Sequence, residues 1–142
     1  MSKESGPYLV AALICEKVLI EKDDVVSVIR MVDRITQSAT GPDTPETMPP
    51  LALQMTALIA FKSGDARGPM TVAIQPEDPR GVQLGLFRQT SHFEGEDRGV
   101  NLIINLNFVA EIPGLYWWDV LLDGERITRM PLRVQYAPTQ MP

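Results

Sequence analysis

Apolar residues alternate with polar ones through the segment "VNLIINLNF", which covers residues 100–108. Such a period of two is the mark of a strand with one buried and one solvated face, because successive strand side chains point to opposite sides. The even positions carry Val100, Leu102, Ile104, Leu106 and Phe108, and the odd positions carry Asn101, Ile103, Asn105 and Asn107. We therefore expect a strand of about ten residues here, which is within the usual range of strand lengths.

The same alternation runs through most of the chain after residue 50. It predicts strands at 51–61, 70–74, 82–86, 115–122 and 130–136, with a turn at 63–65, a two-proline break at 76–81 and a polar loop at 89–98. Pro113-Gly114 and Asp123-Gly124 predict two successive hairpin turns. The alternation before and after Asp123-Gly124 does not match a two-residue loop, so we expect one extra residue in a β-bulge at Arg129–Pro131.

The first third of the chain permits two readings. Apolar residues between Val25 and Ile35 also fit a helical spacing, and residues 8–20 are apolar on both parities. The β-branched run "VVSVI" and the turn composition of "EKDD" favour two strands joined by a hairpin. Residues 37–50 are rich in proline and predict an extended connection or loop between sheets.

Together these segments predict an all-β fold made of one domain spanning residues 1–142. Seven to eight short strands with regular turns are typical of an antiparallel β-sandwich, immunoglobulin-like or related. A closed barrel is the alternative.

Composition narrows the function. A net charge of −5 and a pI near 4.8 argue against nucleic acid as a partner, because phosphate binding needs clustered Lys and Arg. The chain contains no apolar run long enough to cross a bilayer, and its start lacks the features of a secretory signal. Cys15 is the one cysteine, which fits a reducing compartment. We expect a cytoplasmic protein without membrane contact, metal or cofactor.

Two segments resemble an uncharacterised family of small bacterial domains of unknown function. The first is "ALICEKVLIEKDDVVSVIRMVDRI", with a Cys-acid pair, a polar turn and an Asp-Arg-Ile ending. The second is "PGLYWWDVLLDGERITRMPLRV", with a Pro-Gly-x-Tyr turn, an Asp-Gly turn and a Pro-Leu-Arg-Val ending. The resemblance extends from Tyr8 to Val134 and is weakest in the Pro-rich segment. It implies strands in the first third of the chain, and it brings no activity and no catalytic residues.

The adjacent tryptophans must point to opposite faces of a strand. Even parity in this strand is wholly apolar, so Trp118 belongs to the core and Trp117 to the outer face. We expect Trp117 to form a binding surface with Leu121, with Ile103 on a neighbouring strand, and with Arg129 and Arg133 across the hairpin, since a buried indole at an interface contributes strongly to binding. The alternative is that Trp117 only covers the sheet beneath an arginine or the Pro-rich loop.

Other chemistry-bearing residues form no established motif. His92 with Glu94, Glu96 and Asp97 has ligand types for a divalent cation, but in no known spacing, so a solvated acidic loop is the expectation. Cys15 in an apolar run is expected to be a buried hydrophobe rather than a nucleophile. Asn101, Asn105 and Asn107 fit either a sugar-binding face or an ordinary polar face.

The sequence thus predicts a non-enzymatic binding or assembly module that contacts another protein or copies of itself. A small-molecule or carbohydrate-binding domain, with Trp117 as a stacking platform, is the second hypothesis. A metal-dependent or thiol enzyme built on His92 and Cys15 is the third.

Overall fold

Seven strands make up the protein in a computed structural model that describes residues 5–139. They are β1 (Tyr8–Ile20), β2 (Val26–Met31), β3 (Arg34–Thr40), β4 (Leu51–Glu77), β5 (Phe87–Ala110), β6 (Gly114–Leu122) and β7 (Glu125–Thr139). The all-β prediction is confirmed. No helix among the described residues is long and apolar enough to cross a membrane.

The strands form one hydrogen-bonded sheet in the order β2-β1-β4-β6-β7-β3, with β5 paired to β4 off this path. All pairs are antiparallel except β3 and β7, which run parallel from Arg34 opposite Arg133 onward. The expectation of a purely antiparallel arrangement is therefore wrong. β3 and β7 lie far apart in the sequence, so the local sequence of neither strand predicts that they pair.

The long strand β4 organises this sheet. Its first part pairs with β1 up to Cys15 opposite Thr56, and its last part pairs with β6 from Val72 to Glu77. β5 follows the other edge of β4 from Leu51 to Ile74, with register irregularities around Gly64. Because β5 pairs with β4 on both sides of Gly64, the predicted turn at 63–65 is only an irregularity within a continuous strand.

Pairing with β4 also explains two further corrections. Residues 89–98, predicted as a polar loop, are extended because they pair with the second part of β4. Polar side chains are tolerated there because most of them point to solvent. Residues 82–86, predicted as a strand, form only an isolated bridge between Glu77 and Gln83. The Pro-rich connection begins later than expected, since β3 includes residues 37–40.

β2 and β3 lie at opposite ends of the sheet order but are consecutive in the chain. Val32 and Asp33 connect β2 directly to β3. The Val32 N–H donates to the Ile14 carbonyl at 2.8 Å, and the Arg133 N–H donates to the Asp33 carbonyl at 3.0 Å. This short link holds β1 and β7 close to each other although they share no ladder.

In the second half of β5 and in β7, the core follows the predicted alternation, and Trp118 of β6 enters it as expected. Trp118 is fully buried, and the Phe108 ring lies 5.0 Å from it although β5 and β6 do not pair. The even residues 100–106 of β5 and 130–134 of β7 are also buried. Trp117, on the opposite face, is half-buried. The predicted separation of the two indole rings is confirmed.

The predicted extra residue in the last hairpin exists, but at another place. Val120 lies opposite Thr128 while Leu121 lies opposite Arg126, so Ile127 is the extra residue. The prediction of a bulge at Arg129–Pro131 is wrong. Absorbing the residue beside the Asp123-Gly124 turn lets Trp118 and Met130 form a pair on the core face.

Candidate interaction surfaces

Four of the five residues predicted for the Trp117 surface lie on one face of β6 and β7. Trp117, Asp119 and Leu121 alternate outward along β6. Arg129 is paired with Asp119, and Arg133 with Leu115, so both arginines share this face. These four residues therefore share one face of the sheet, and we call them the Trp117 surface (Trp117, Leu121, Arg129 and Arg133).

Ile103 does not belong to this patch. It lies on β5 opposite Leu58, in the first part of β4, whereas Trp117 lies opposite Glu77 at the end of β4. The expectation that Ile103 neighbours Trp117 is wrong. Strand order depends on long-range pairing, which alternation cannot reveal.

An ion-pair cluster covers the Trp117 ring. The guanidinium carbon of Arg129 lies 4.8 Å from the ring centroid. Its Nε donates to Asp119 Oδ1 at 2.7 Å, and its Nη2 lies 3.4 Å from Glu77 Oε2. The hydrogen bond to Asp119 raises the pKa of Arg129. These contacts fix the arginine over the indole, which is the covering role that we gave as the alternative for Trp117.

The structure separates the residues of the enzyme hypothesis. Cys15 lies opposite Thr56, and His92 lies opposite Pro69, so the two residues face different parts of β4. Burial raises the pKa of the Cys15 thiol, which donates weakly to the Lys17 carbonyl at 3.5 Å. A thiol with a raised pKa remains protonated at neutral pH and is a poor nucleophile.

Two of the three acidic residues near His92, Glu94 and Glu96, form ion pairs with arginines. Glu94 Oε2 accepts from Arg98 at 3.0 Å, and Glu96 lies 3.9 Å from Arg67. Across residues 5–139, no three His, Cys, Asp or Glu side chains come together as a metal site.

Sequence reasoning missed the largest concentration of exposed apolar side chains. Within residues 5–139, eight of the twelve large hydrophobic residues that are exposed belong to β1, β2 and their turn. They are Tyr8, Leu9, Val10, Leu19, Ile20, Val25, Ile29 and Met31. The signal was present, since residues 8–20 are apolar on both parities, and a strand that is apolar on both sides needs a cover on both sides.

Four of these residues, Leu19, Ile20, Val25 and Ile29, lie on a hairpin that extends past the sheet. β1 pairs with β4 only as far as Cys15, and beyond it Lys17–Ile20 pair only with Val26–Ile29. We call residues 17–29 the hairpin tip. Ile20 at its end is 64% exposed, and Met31 at its base is 70% exposed. Two strands without further support are marginally stable in water, so a cover on this tip would be stabilising.

A cavity of about 410 Å³ opens between the two ends of β5. Leu84, Phe87, Phe108, Ile112 and Tyr116 supply its apolar lining, and Arg80, Asn107 and Glu111 supply polar groups. Trp117 is not among its lining residues. Its volume falls within the range of small-molecule sites.

Comparison with known proteins identifies a family whose function is unknown. No curated protein matches this chain. Residues 10–135 match the sequence model of a family of unknown function, DUF6941. This match includes both segments on which the resemblance was based, and it covers nearly the whole described chain. The protein therefore belongs to the family of unknown function DUF6941.

Proposed function

We propose that this protein is a non-enzymatic protein-binding module that contacts its partner through the hairpin tip. The observation that carries the proposal is the concentration of exposed apolar residues on the hairpin tip and at its base: Leu19, Ile20, Val25, Ile29 and Met31. Concentrations of exposed apolar side chains mark interaction sites, because a monomer gains nothing by exposing them to water.

The geometry of the tip supports a protein rather than a small ligand as the partner. Its exposed side chains lie on both faces, since Ile20 pairs with Val26 while Leu19 and Ile29 belong to the other face. A projecting two-faced element fits a groove in another macromolecule. Charged residues at its base, such as the exposed pair Arg30–Glu16 at 3.0 Å, would form the polar rim of the contact.

The remaining parts of the proposal follow from the same features. Burial of Cys15 and its distance along β4 from His92 support a role without catalysis. The net charge of −5 favours a protein over nucleic acid or an anionic membrane surface. A reduced, buried cysteine fits the cytoplasm. A bacterial source stays a prediction of the sequence.

We also infer that the sheet folds over into the two layers of a sandwich. The contact between Phe108 and Trp118 supports this arrangement, because their strands do not pair and the rings must approach from opposite sides of a core. Phe61 and Phe93 form a second ring contact within that core, with ring centroids 5.6 Å apart and an interplanar angle of 65°. The closed barrel is the alternative, because the chain links β2 directly to β3, the strands at the two ends of the sheet order.

The test compares single substitutions in the full-length protein. Affinity capture from cells that naturally produce the protein would be carried out with wild type, Ile20→Lys and Met31→Lys. Ile127→Lys is the matched control, because Ile127 is also exposed but lies on β7. We expect partners to be retained by wild type and the control and lost by both hairpin variants. Equal capture by all four proteins would refute the proposal.

Small-molecule binding is the second candidate function, and the cavity beside Phe87 and Phe108 favours it. Titration with anilinonaphthalene sulfonate, an apolar fluorescent probe, tests the cavity. Leu84→Trp would fill it and should abolish saturable binding, whereas Val82→Trp, at an exposed neighbouring position, should not. Stacking of a sugar on Trp117 is less favoured, because Arg129 occupies one face of the ring.

A further inference from the structure

No strand among the described residues pairs with the outer edge of β5. Within residues 5–139, β5 pairs with β4 alone. An unpaired edge offers a row of backbone donors and acceptors to any extended chain, and proteins usually block such edges with charged residues, prolines or short strands. β5 is one of the two longest strands of the fold.

Charged residues, which would block pairing along this edge, lie only in the first half of β5. Residues 88–98 carry Arg88, His92, Glu94, Glu96, Asp97 and Arg98. Residues 99–110 contain no charged residue and no proline. The protein thus blocks the first half of the edge and leaves the second half open, which is the pattern expected of an edge that is used.

The outward face of the open half carries Asn101, Ile103 and Asn105 at its centre, followed by Asn107 and the exposed Val109. Asn101 and Asn105 are exposed, and Ile103 between them is half-buried beside Leu58. On the inner face, Leu102 and Ile104 are buried in the core. The centre of this outer face is therefore polar, apolar and polar in turn.

We propose that β5 pairs antiparallel with β5 of a second copy, around a two-fold axis through Ile103. Ile103 then lies opposite the partner's Ile103, and Asn101 lies opposite the partner's Asn105 on either side. Like residues meet across the axis: the isoleucines bury each other, and the asparagine amides donate and accept hydrogen bonds. A two-fold contact of this kind is closed, so it ends at a dimer.

The neighbouring registers are less favourable. Pairing must keep core-facing residues next to core-facing residues, so the axis passes through a residue and not between two residues. Moving it to Leu102 or Ile104 places Ile103 opposite an asparagine. The axis through Ile103 pairs apolar with apolar and polar with polar side chains on the outer face. An axis through Leu106 would do the same, with Ile103 opposite Val109 and Asn105 opposite Asn107. We prefer the axis through Ile103, because residues 107–109 line the cavity together with Leu84 and Gly85, so a strand centred on Leu106 would meet that loop.

A second copy is the occupant that this edge fits best. The open half has no net charge, so two identical strands meet without repulsion, whereas it offers no charge by which to select a different partner. The inference does not rest on the proposed function, because β1 and β5 occupy opposite edges of β4. Either surface can fail its test while the other passes.

Cysteine cross-linking tests the register. The variants are made in a Cys15→Ser background and oxidised with copper phenanthroline, so that the only thiol is the one introduced. Side chains directly opposite each other have Cβ atoms about 4.5–5.5 Å apart, which oxidation can bridge. Ile103→Cys should form a covalent dimer alone. Asn101→Cys and Asn105→Cys should not dimerise separately but should cross-link when the two proteins are mixed.

Charge substitution tests the dimer itself. Ile103→Lys places two lysines opposite each other and should convert the dimer to a monomer in sedimentation velocity runs, with an unchanged circular dichroism spectrum. Asn105→Lys, at an exposed position, is a second charge variant that also should weaken dimerisation. Thr90→Lys, exposed in the charged half, is the control and should remain dimeric. A monomeric wild type, or cross-linking of Asn101→Cys alone as efficient as that of Ile103→Cys, would overturn the proposal.

Discussion

Arg129 lies above the ring of Trp117, with its guanidinium carbon 4.8 Å from the ring centroid, and is held there by Asp119. Two acidic residues on separate strands anchor this arginine, because Glu77 of β4 also contacts it at 3.4 Å. A residue that sequence analysis selected for binding is therefore also part of the packing between β4, β6 and β7. The exposure of the Trp117 ring therefore depends on Arg129 and on the two carboxylates that hold it.

Replacing Arg129 should uncover the indole. In Arg129→Ala, we expect the emission of Trp117 to shift to longer wavelength and to be quenched more strongly by acrylamide, because the ring loses its cover. The variants are compared in a Trp118→Phe background, in which Trp117 is the only tryptophan. Arg133→Ala, which removes an exposed arginine on the same face, should leave the spectrum unchanged. An unaltered spectrum in Arg129→Ala would mean that the guanidinium does not shield the ring.

Removing the hydroxyl of Tyr116 should destabilise the fold modestly. The hydroxyl donates to the Ile112 carbonyl at 2.6 Å, and the side chain is 1% exposed. Tyr116→Phe should lower the free energy of unfolding by about 0.5–1.5 kcal/mol, the usual contribution of one hydrogen bond. Urea unfolding monitored by circular dichroism measures the change.

The same residue should contribute to alkaline unfolding. Burial raises the pKa of Tyr116 above its usual value. The unfolded chain then loses this proton first as the pH rises above about 10, so the stability falls between the unfolded and folded pKa values. Tyr116→Phe removes this contribution. Its urea midpoint should therefore decline less steeply with pH than that of wild type, and parallel declines would contradict the assignment.

Asp78 should make the fold sensitive to acid. Burial alone would raise the pKa of Asp78, but hydrogen bonds from the Val82 N–H and from Arg80 outweigh it and keep the pKa below its usual value. Its contribution to stability is present above the unfolded pKa, about 3.9, and is lost as the pH falls through the folded pKa.

The comparison is made with Asp78→Asn, which retains one acceptor oxygen and no charge. We expect the variant to be less stable than wild type at neutral pH and the difference to shrink in acid. Asp43→Asn, at an exposed position in the loop between β3 and β4, is the control. A difference that stays constant from neutral to acidic pH would show that the charge of Asp78 does not stabilise the fold.

Gly114 should tolerate no side chain. Its φ is +136°, and a Cβ atom added there would lie 2.6 Å from Cγ of Pro79. Gly114→Ala therefore combines backbone strain with a clash, and we expect a loss of about 2 kcal/mol or more in urea unfolding. Gly124→Ala is the matched control, since its φ is +89° but no atom lies within 4 Å of the added Cβ. It should lose about 1 kcal/mol, from strain alone.

The alternation of apolar and polar residues correctly predicted those features that are set within a single strand or hairpin. The two faces of residues 100–108, the opposite directions of Trp117 and Trp118, and the turn at Asp123-Gly124 each follow from the pleat of a single strand or hairpin. The need for one extra residue in the last hairpin was also visible, because the two strands had mismatched parities. Its position at Ile127 was not, since several sites restore the same parity.

Amino-acid order alone thus determined that the chain is all-β, which side chains of residues 100–106 and 130–134 enter the core, and that most of the Trp117 surface shares one face. Tertiary structure decided which strands are neighbours: the polar residues 89–98 are a strand because β4 lies beside them, β3 runs parallel to β7, and Ile103 lies far from Trp117 along β4. The physical reason is that side-chain direction depends on the local backbone, whereas strand pairing depends on hydrogen bonds between residues distant in the chain.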